Sequence, residues 1–273
     1  MRGLTRGLKR LGVTFILATA LSACQTTGSD KPKATPETLL EEQKAIIRAS
    51  LDSGKPEAAL QQLRDLVRAH PQDAGLQNLM GLTQLALKNP ARAVRSFQVA
   101  FRIDKQVGTG LNLSSALCEA GDHDRAIRLL TALAKQAEKD DYKFKERIYH
   151  NLGYCYFKDN RFAKAEQWLR QALDENPTFF PSHLQLARLY ERTRRPAMAL
   201  RAFRRSMDYC TVCYEPVEAL AQTYQRLGKP QEARRVLMQF AKSEGITPED
   251  RSRANEMLNH ITTAGLPQVK RGS

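Results

Sequence analysis

The sequence predicts an all-α solenoid, six stacked helix pairs closed by a C-terminal helix. Three observations predict it. Apolar residues recur at helical spacing almost without a break from residue 39 to residue 265. The pattern returns every 34 residues, as in an array where each unit covers its neighbour. Within each period two positions favour small side chains, so two helices can approach closely there.

Residues 146–179 show the unit most clearly. Tyr149, Leu152, Gly153, Tyr156, Ala165, Leu169, Ala172 and Pro177 fall at its positions 4, 7, 8, 11, 20, 24, 27 and 32. These residues resemble the tetratricopeptide repeat. The resemblance implies a right-handed superhelix in which the first helix of each pair, helix A, lines a concave face. Residues 74–106 fit the same frame through Met80, Gly81, Ala93, Phe97 and Ala100, and residues 107–140 through Leu113, Ser114, Ala126, Leu130 and Leu133. Residues 180–213 fit through Leu186, Ala187, Tyr190, Ala199 and Phe203, and residues 214–247 through Leu220, Ala221, Tyr224, Ala233, Leu237 and Phe240. Residues 40–73 match least, with Ala59, Leu63 and Pro71.

Each element follows from local chemistry. Gly54, Gly121, Asn160 and Gly228 fall at the turn from helix A to helix B, where a left-handed backbone costs them least. Pro71 and Pro177 stop helix B. Residues 141–145, Asp141 to Lys145, are extra between the third and fourth units, and either lengthen a helix or enlarge a turn. Thr247-Pro248-Glu249-Asp250 reads as a capped helix start, so a closing helix is expected over 248–264, followed by a tail over 266–273.

The N-terminus points to an export signal. Arg2, Arg6, Lys9 and Arg10 precede an apolar run from Leu11 to Leu21. That run is about 11 residues, short of the roughly 20 a spanning helix needs. Leu21-Ser22-Ala23-Cys24 resembles the lipobox of bacterial lipoproteins. The resemblance implies cleavage of residues 1–23 and acylation of Cys24, anchoring the chain to membrane lipid. Gln25 stands where aspartate marks inner-membrane retention in enteric bacteria, so an outer-membrane anchor is expected, with the repeats in the periplasm. Residues 24–38 read as a polar tether reaching roughly 40 Å.

Loss of the four basic residues of the signal lowers the formal charge from +14 to +10. In that compartment a basic chain meets anionic lipid, peptidoglycan carboxylates or an acidic protein rather than nucleic acid. The basic run Arg192, Arg194, Arg195, Arg201, Arg204 and Arg205 reads as a solvated helix face or a lipid-facing one. Beyond Cys24, four cysteines remain, Cys118, Cys155, Cys210 and Cys213, an even number that reads as two disulfides in an oxidising space. Cys118 and Cys155 fall on helix A of neighbouring units, where a bond between them is reasonable; two buried thiols are the alternative. Cys210-Thr211-Val212-Cys213 reads as a clamp on the turn between units five and six, with a redox dithiol as the alternative. No second such motif completes a zinc site.

The sequence holds no catalytic constellation. Its five histidines, His70, His123, His150, His183 and His260, do not pair at ligand spacing, and no phosphate loop or nucleophile motif occurs. A non-enzymatic chain is expected, with no cofactor, no metal and no small-molecule substrate.

A lipobox, a tether and six such units resemble the pilotins of type IV pilus secretins, the PilF/PilW/Tgl-like outer-membrane lipoproteins. Leu113-Ser114-Ser115-Ala116-Leu117-Cys118 and Asn151-Leu152-Gly153-Tyr154-Cys155 match where some members carry a bridged cysteine pair, and the insertion between them matches too. The resemblance implies a scaffold that helps secretin subunits assemble in, or reach, the outer membrane. Cys210-Thr211-Val212-Cys213 departs from the general pattern. Groove-facing positions then select Asn78, Leu82, Leu85, Leu111 and Ser115, and further along His150, Tyr154, Phe157, Lys158, Arg188 and Arg192. Tyr154 and Phe157 either offer aromatic surface to a partner or pack against neighbouring helices. A tethered adaptor for peptidoglycan hydrolases and a thiol-redox or chaperone factor are the readings from other classes.

Overall fold

The computed structural model describes residues 35–264 of the chain. The expected signal peptide, Cys24 and the tail lie outside the described residues, as does most of the tether. Two compact units divide the chain, residues 1–40 and residues 41–273. Only residues 35–40 of the first are described, and the second carries the helix pairs.

Among the described residues the helices run in order as pairs. They are α1 (Pro36–Asp52) with α2 (Pro56–Ala69), α3 (Ala74–Ala86) with α4 (Pro90–Asp104), and α5 (Val107–Glu119) with α6 (His123–Lys139). Then come α7 (Lys145–Lys158) with α8 (Phe162–Glu175), α9 (Phe180–Arg192) with α10 (Pro196–Tyr209), and α11 (Tyr214–Arg226) with α12 (Pro230–Ala241). The closing helix α13 spans Pro248–Ala264. No strand occurs among the described residues, and none of these helices is long and apolar enough to cross a membrane.

The register follows from two repeat positions. Position 20 is alanine in all six units, and Ala59, Ala93, Ala126, Ala165, Ala199 and Ala233 are each 0 % exposed. Position 24 is large in all six, and Leu63, Phe97, Leu130, Leu169, Phe203 and Leu237 are equally buried. A small residue lets the paired helices close up, and the large one fills the space beside that contact. One apolar cluster thereby runs from Ala93 to Ile261. Four B helices also begin on proline, Pro56, Pro90, Pro196 and Pro230, whose fixed φ suits a first helical position.

Three details differ from the sequence expectation. Helix α1 begins at Pro36, inside the segment read as tether, because the Thr35 hydroxyl accepts from the Thr38 amide and caps it. In the first pair, position 7 falls on Ile46, which is 56 % exposed, while Ile47 is buried. The insertion does both things it could do: α6 extends to 17 residues against 14 in α8, and a turn over residues 140–144 follows.

The first pair is also tied on by charge. Lys44, nearly buried, meets Asp73 at 2.6 Å and Glu41 at 2.7 Å, and Asp73 caps α3 by accepting from the Leu76 amide.

Position 15, the A-to-B turn, is left-handed in every pair: Gly54, Lys88, Gly121, Asn160, Arg194 and Gly228 have φ between 54° and 83°. Lys88 and Arg194 carry a β-carbon there and are strained. Arg194→Gly is expected to stabilise the array by about 0.5–1 kcal/mol, the relief of strain exceeding the added freedom of the unfolded chain. The readout is a thermal midpoint raised by about 2 °C.

Candidate partner-binding groove

Helices α3, α5, α7 and α9 touch in succession, each A helix meeting the next. A cleft of about 540 Å³ opens on them, with Asn78, Leu111, Ser115 and His150 in its lining. These four were expected in the groove. Gln106, Thr109, Asn112, Arg147, Asn151 and Phe179 also line it.

The polar side chains form a row across the helices. Asn112 Nδ2 donates to Asn78 Oδ1 at 2.8 Å, linking α5 to α3. Asn151 Nδ2 donates to Ser115 Oγ at 3.4 Å and to the Leu111 carbonyl at 3.5 Å, linking α7 to α5. His150 Nδ1 lies 3.1 Å from Ser182 Oγ on α9, with its ring edge-on to Phe179. Among the described residues of the lining Arg147 is the one that carries charge, because burial holds His150 neutral by pushing its pKa down to about 4.

That depression has a stability consequence. The unfolded chain binds the His150 proton near pH 6.5 and the folded chain only near pH 4. Stability from this group is therefore complete above about pH 6.5 and lost as pH falls to about 4. A loss of about 2 kcal/mol across that window is expected. In His150→Gln, urea unfolding at pH 7 and pH 4.5 should show a smaller difference than in wild type.

The other expected groove residues do not line this cleft. Leu82 is 36 % exposed and Leu85 packs against the core. Tyr154 and Phe157 are half-buried and pack against the core. The Tyr154 hydroxyl donates to the Glu119 carboxylate, which Lys158 also reaches at 3.2 Å. Burial and Glu119 push the Tyr154 phenol up; burial works to raise Glu119, but Tyr154 and Lys158 hold it below its ordinary value. Arg188 pairs with Glu215 on α11 at 2.7 Å, and exposed Arg192 reaches Asn160 at 3.4 Å. The contacts of Glu119 and of Arg188 join successive A helices where the amide row ends.

Family models settle the class of the array. Three models described as tetratricopeptide repeat match residues 45–106, 107–174 and 217–238, together more than half of the chain. The chain is a tetratricopeptide-repeat protein. Among solved structures it is similar to PilW, described as a widely conserved type IV pilus biogenesis factor, with a TM-score of 0.56 and 19% identity. The match covers 79% of this chain and 98% of PilW. The pilF protein of Pseudomonas aeruginosa gives a TM-score of 0.52 at 15% identity, covering 80% of this chain and 96% of that one. Human IFIT1, solved as a dimer with m7Gppp-AAAA, gives 0.62 at 18% identity, covering 85% of this chain but 56% of IFIT1. Identities this low show the shared fold alone. No curated protein matches the sequence.

A tetratricopeptide-repeat array is an interaction scaffold, and the cleft has the chemistry for one. Beyond the bonds described, the Asn112 amide keeps donor and acceptor capacity and the Asn151 amide its acceptor oxygen, which suits the alternating amides and carbonyls of an extended chain. Among the described residues no cluster of three histidine, cysteine or carboxylate side chains is placed to hold a metal. Asn112 and Asn151 were missed because the sequence reading looked one residue earlier. Their signal was available: both stand at position 6 of successive units.

The cysteines pair as expected. Cys118 on α5 and Cys155 on α7 are disulfide-bonded with Cα atoms 5.5 Å apart, and both are fully buried. Cys210 and Cys213 are bonded across the turn from α10 to α11, with Cα atoms 5.4 Å apart.

Proposed function

We propose that this protein is an outer-membrane lipoprotein of the pilotin kind. In this reading Cys24 is acylated, the repeats hang in the periplasm, and the groove binds a secretin subunit of the type IV pilus. The observation that carries the binding reading is the cleft itself. It offers a row of neutral amides, an aromatic wall at Phe179 and a single cation, Arg147. Such a surface holds an extended main chain through hydrogen bonds. The lipobox supports the anchor. The near-complete span of PilW and pilF, against about half of IFIT1, supports the pilus assignment.

The test is the state of the secretin in outer membranes from a strain lacking this gene. Loss of the heat-resistant multimer on a denaturing gel, with recovery on complementation, is the expected result. An unchanged multimer in the deletion strain removes the pilotin reading and leaves the scaffold.

A further inference from the structure

Of the basic run from Arg192 to Arg205, three side chains are engaged. Arg195 pairs with Glu166 at 2.8 Å and lies over Tyr190; Arg204 donates to the Tyr224 hydroxyl at 2.6 Å; Arg192 bonds Asn160. Arg194 occupies the left-handed turn before α10. Arg201 and Arg205 are different. Both are exposed on α10, four residues apart on one face, and neither makes an ion pair among the described residues. Like charges at that spacing repel, so this face is held together against its own electrostatics.

The two guanidiniums border a second cleft of about 400 Å³ between α8, α9 and α10, away from the amide row. Its apolar wall comes from Leu173, Leu186, Met198 and Ala202. Arg170 stands opposite but is satisfied by Glu166 at 2.9 Å and the Tyr190 hydroxyl. Asp174 is the one carboxylate in the lining, and it pairs with neither Arg201 nor Arg205. A recess with an apolar wall and two unneutralised guanidiniums on its rim has the form of a site for an apolar anchor flanked by carboxylates.

We propose that this cleft is a second docking site, which takes an acidic protein segment by seating an apolar side chain against Leu186 and Met198 while Arg201 and Arg205 grip neighbouring carboxylates. The recess favours a peptide over a lipid surface, because a flat layer of headgroups reaches the arginines but leaves the wall uncovered. The site is separate from the groove, so the array can hold two partners, or two segments of one, at once.

The probe is a short fluorescein-labelled peptide of alternating glutamate and phenylalanine, with a glutamine–phenylalanine peptide as control, titrated into the purified chain. Saturable binding of the acidic peptide, weakened about tenfold or more by Arg201→Gln with Arg205→Gln and unaffected by Arg92→Gln on α4, is the expected result. Leu186 is core-forming, so the apolar wall is probed by Met198→Gln, which should also weaken binding. Circular dichroism must show each variant folded as wild type. Asn112→Ala with Asn151→Ala should leave this binding intact, which separates it from the groove. Equal binding of both peptides, or indifference to the two arginines, overturns the proposal. So does sedimentation with phosphatidylglycerol vesicles that depends on the arginines while the acidic peptide fails to bind.

Discussion

Replacing Cys118 and Cys155 together by alanine is expected to destabilise the array by about 4 kcal/mol, the loop-closure entropy for a crosslink of this span. The bond closes a sequence separation of 37 residues that contains the whole of α6. It sits where the 34-residue frame is broken by the insertion, so it fastens α5 to α7 at the junction whose spacing departs most from the rest. In a solenoid each pair is stabilised by its neighbours, and a weakened junction separates the array into blocks that melt apart. Both sulfurs are fully buried, so reductant should act only on the unfolding chain. The Cys210–Cys213 bond is half-exposed and spans a separation of three residues, so its loss should matter much less. Thermal scans of wild type and the double variant, with and without reductant, check this. Coincident midpoints for the two proteins in oxidising buffer would show that the bond contributes nothing.

Gly81→Val is expected to cost about 3 kcal/mol, through overpacking at a site with nowhere to expand. A β-carbon on Gly81 would lie 2.5 Å from the Phe97 ring, and that ring is wholly buried at position 24 of the same unit. The helix itself gains from losing a glycine, but by only about 0.4 kcal/mol because valine is β-branched, and the collision exceeds that gain. The partner's identity makes the mechanism testable. Phe97→Leu alone should destabilise by leaving a cavity, yet in the Gly81→Val background it should restore stability by opening the space the valine needs. Urea unfolding of the four proteins gives the interaction energy directly. A double variant as weak as the sum of its parts would mean that Gly81 is needed for something other than close approach.

The register of the solenoid was legible because alanine at position 20 and a bulky residue at position 24 recur in every unit, and packing demands both. Pro248 and its neighbours announced α13 correctly. Lys88 and Arg194 were not legible as left-handed turn residues, since their side chains favour the opposite conformation and only the repeat frame forces them there. The outward turn of Ile46 was hidden because the first pair matches the frame poorly. The groove was half visible. Asn78, Leu111, Ser115 and His150 were legible, but the amides of Asn112 and Asn151, each reaching back to the preceding A helix, sit at position 6. The role of Tyr154 stayed open in the sequence because its partner, Glu119, lies 35 residues away on the preceding A helix.

The most direct test of the groove as a secretin-binding surface is a strain whose only copy of the gene carries Asn112→Ala with Asn151→Ala. Its protein should reach the membrane at wild-type level and keep its helical content, while the heat-resistant secretin multimer is lost from the outer membrane. A full-strength multimer in that strain would contradict the groove as the site of binding.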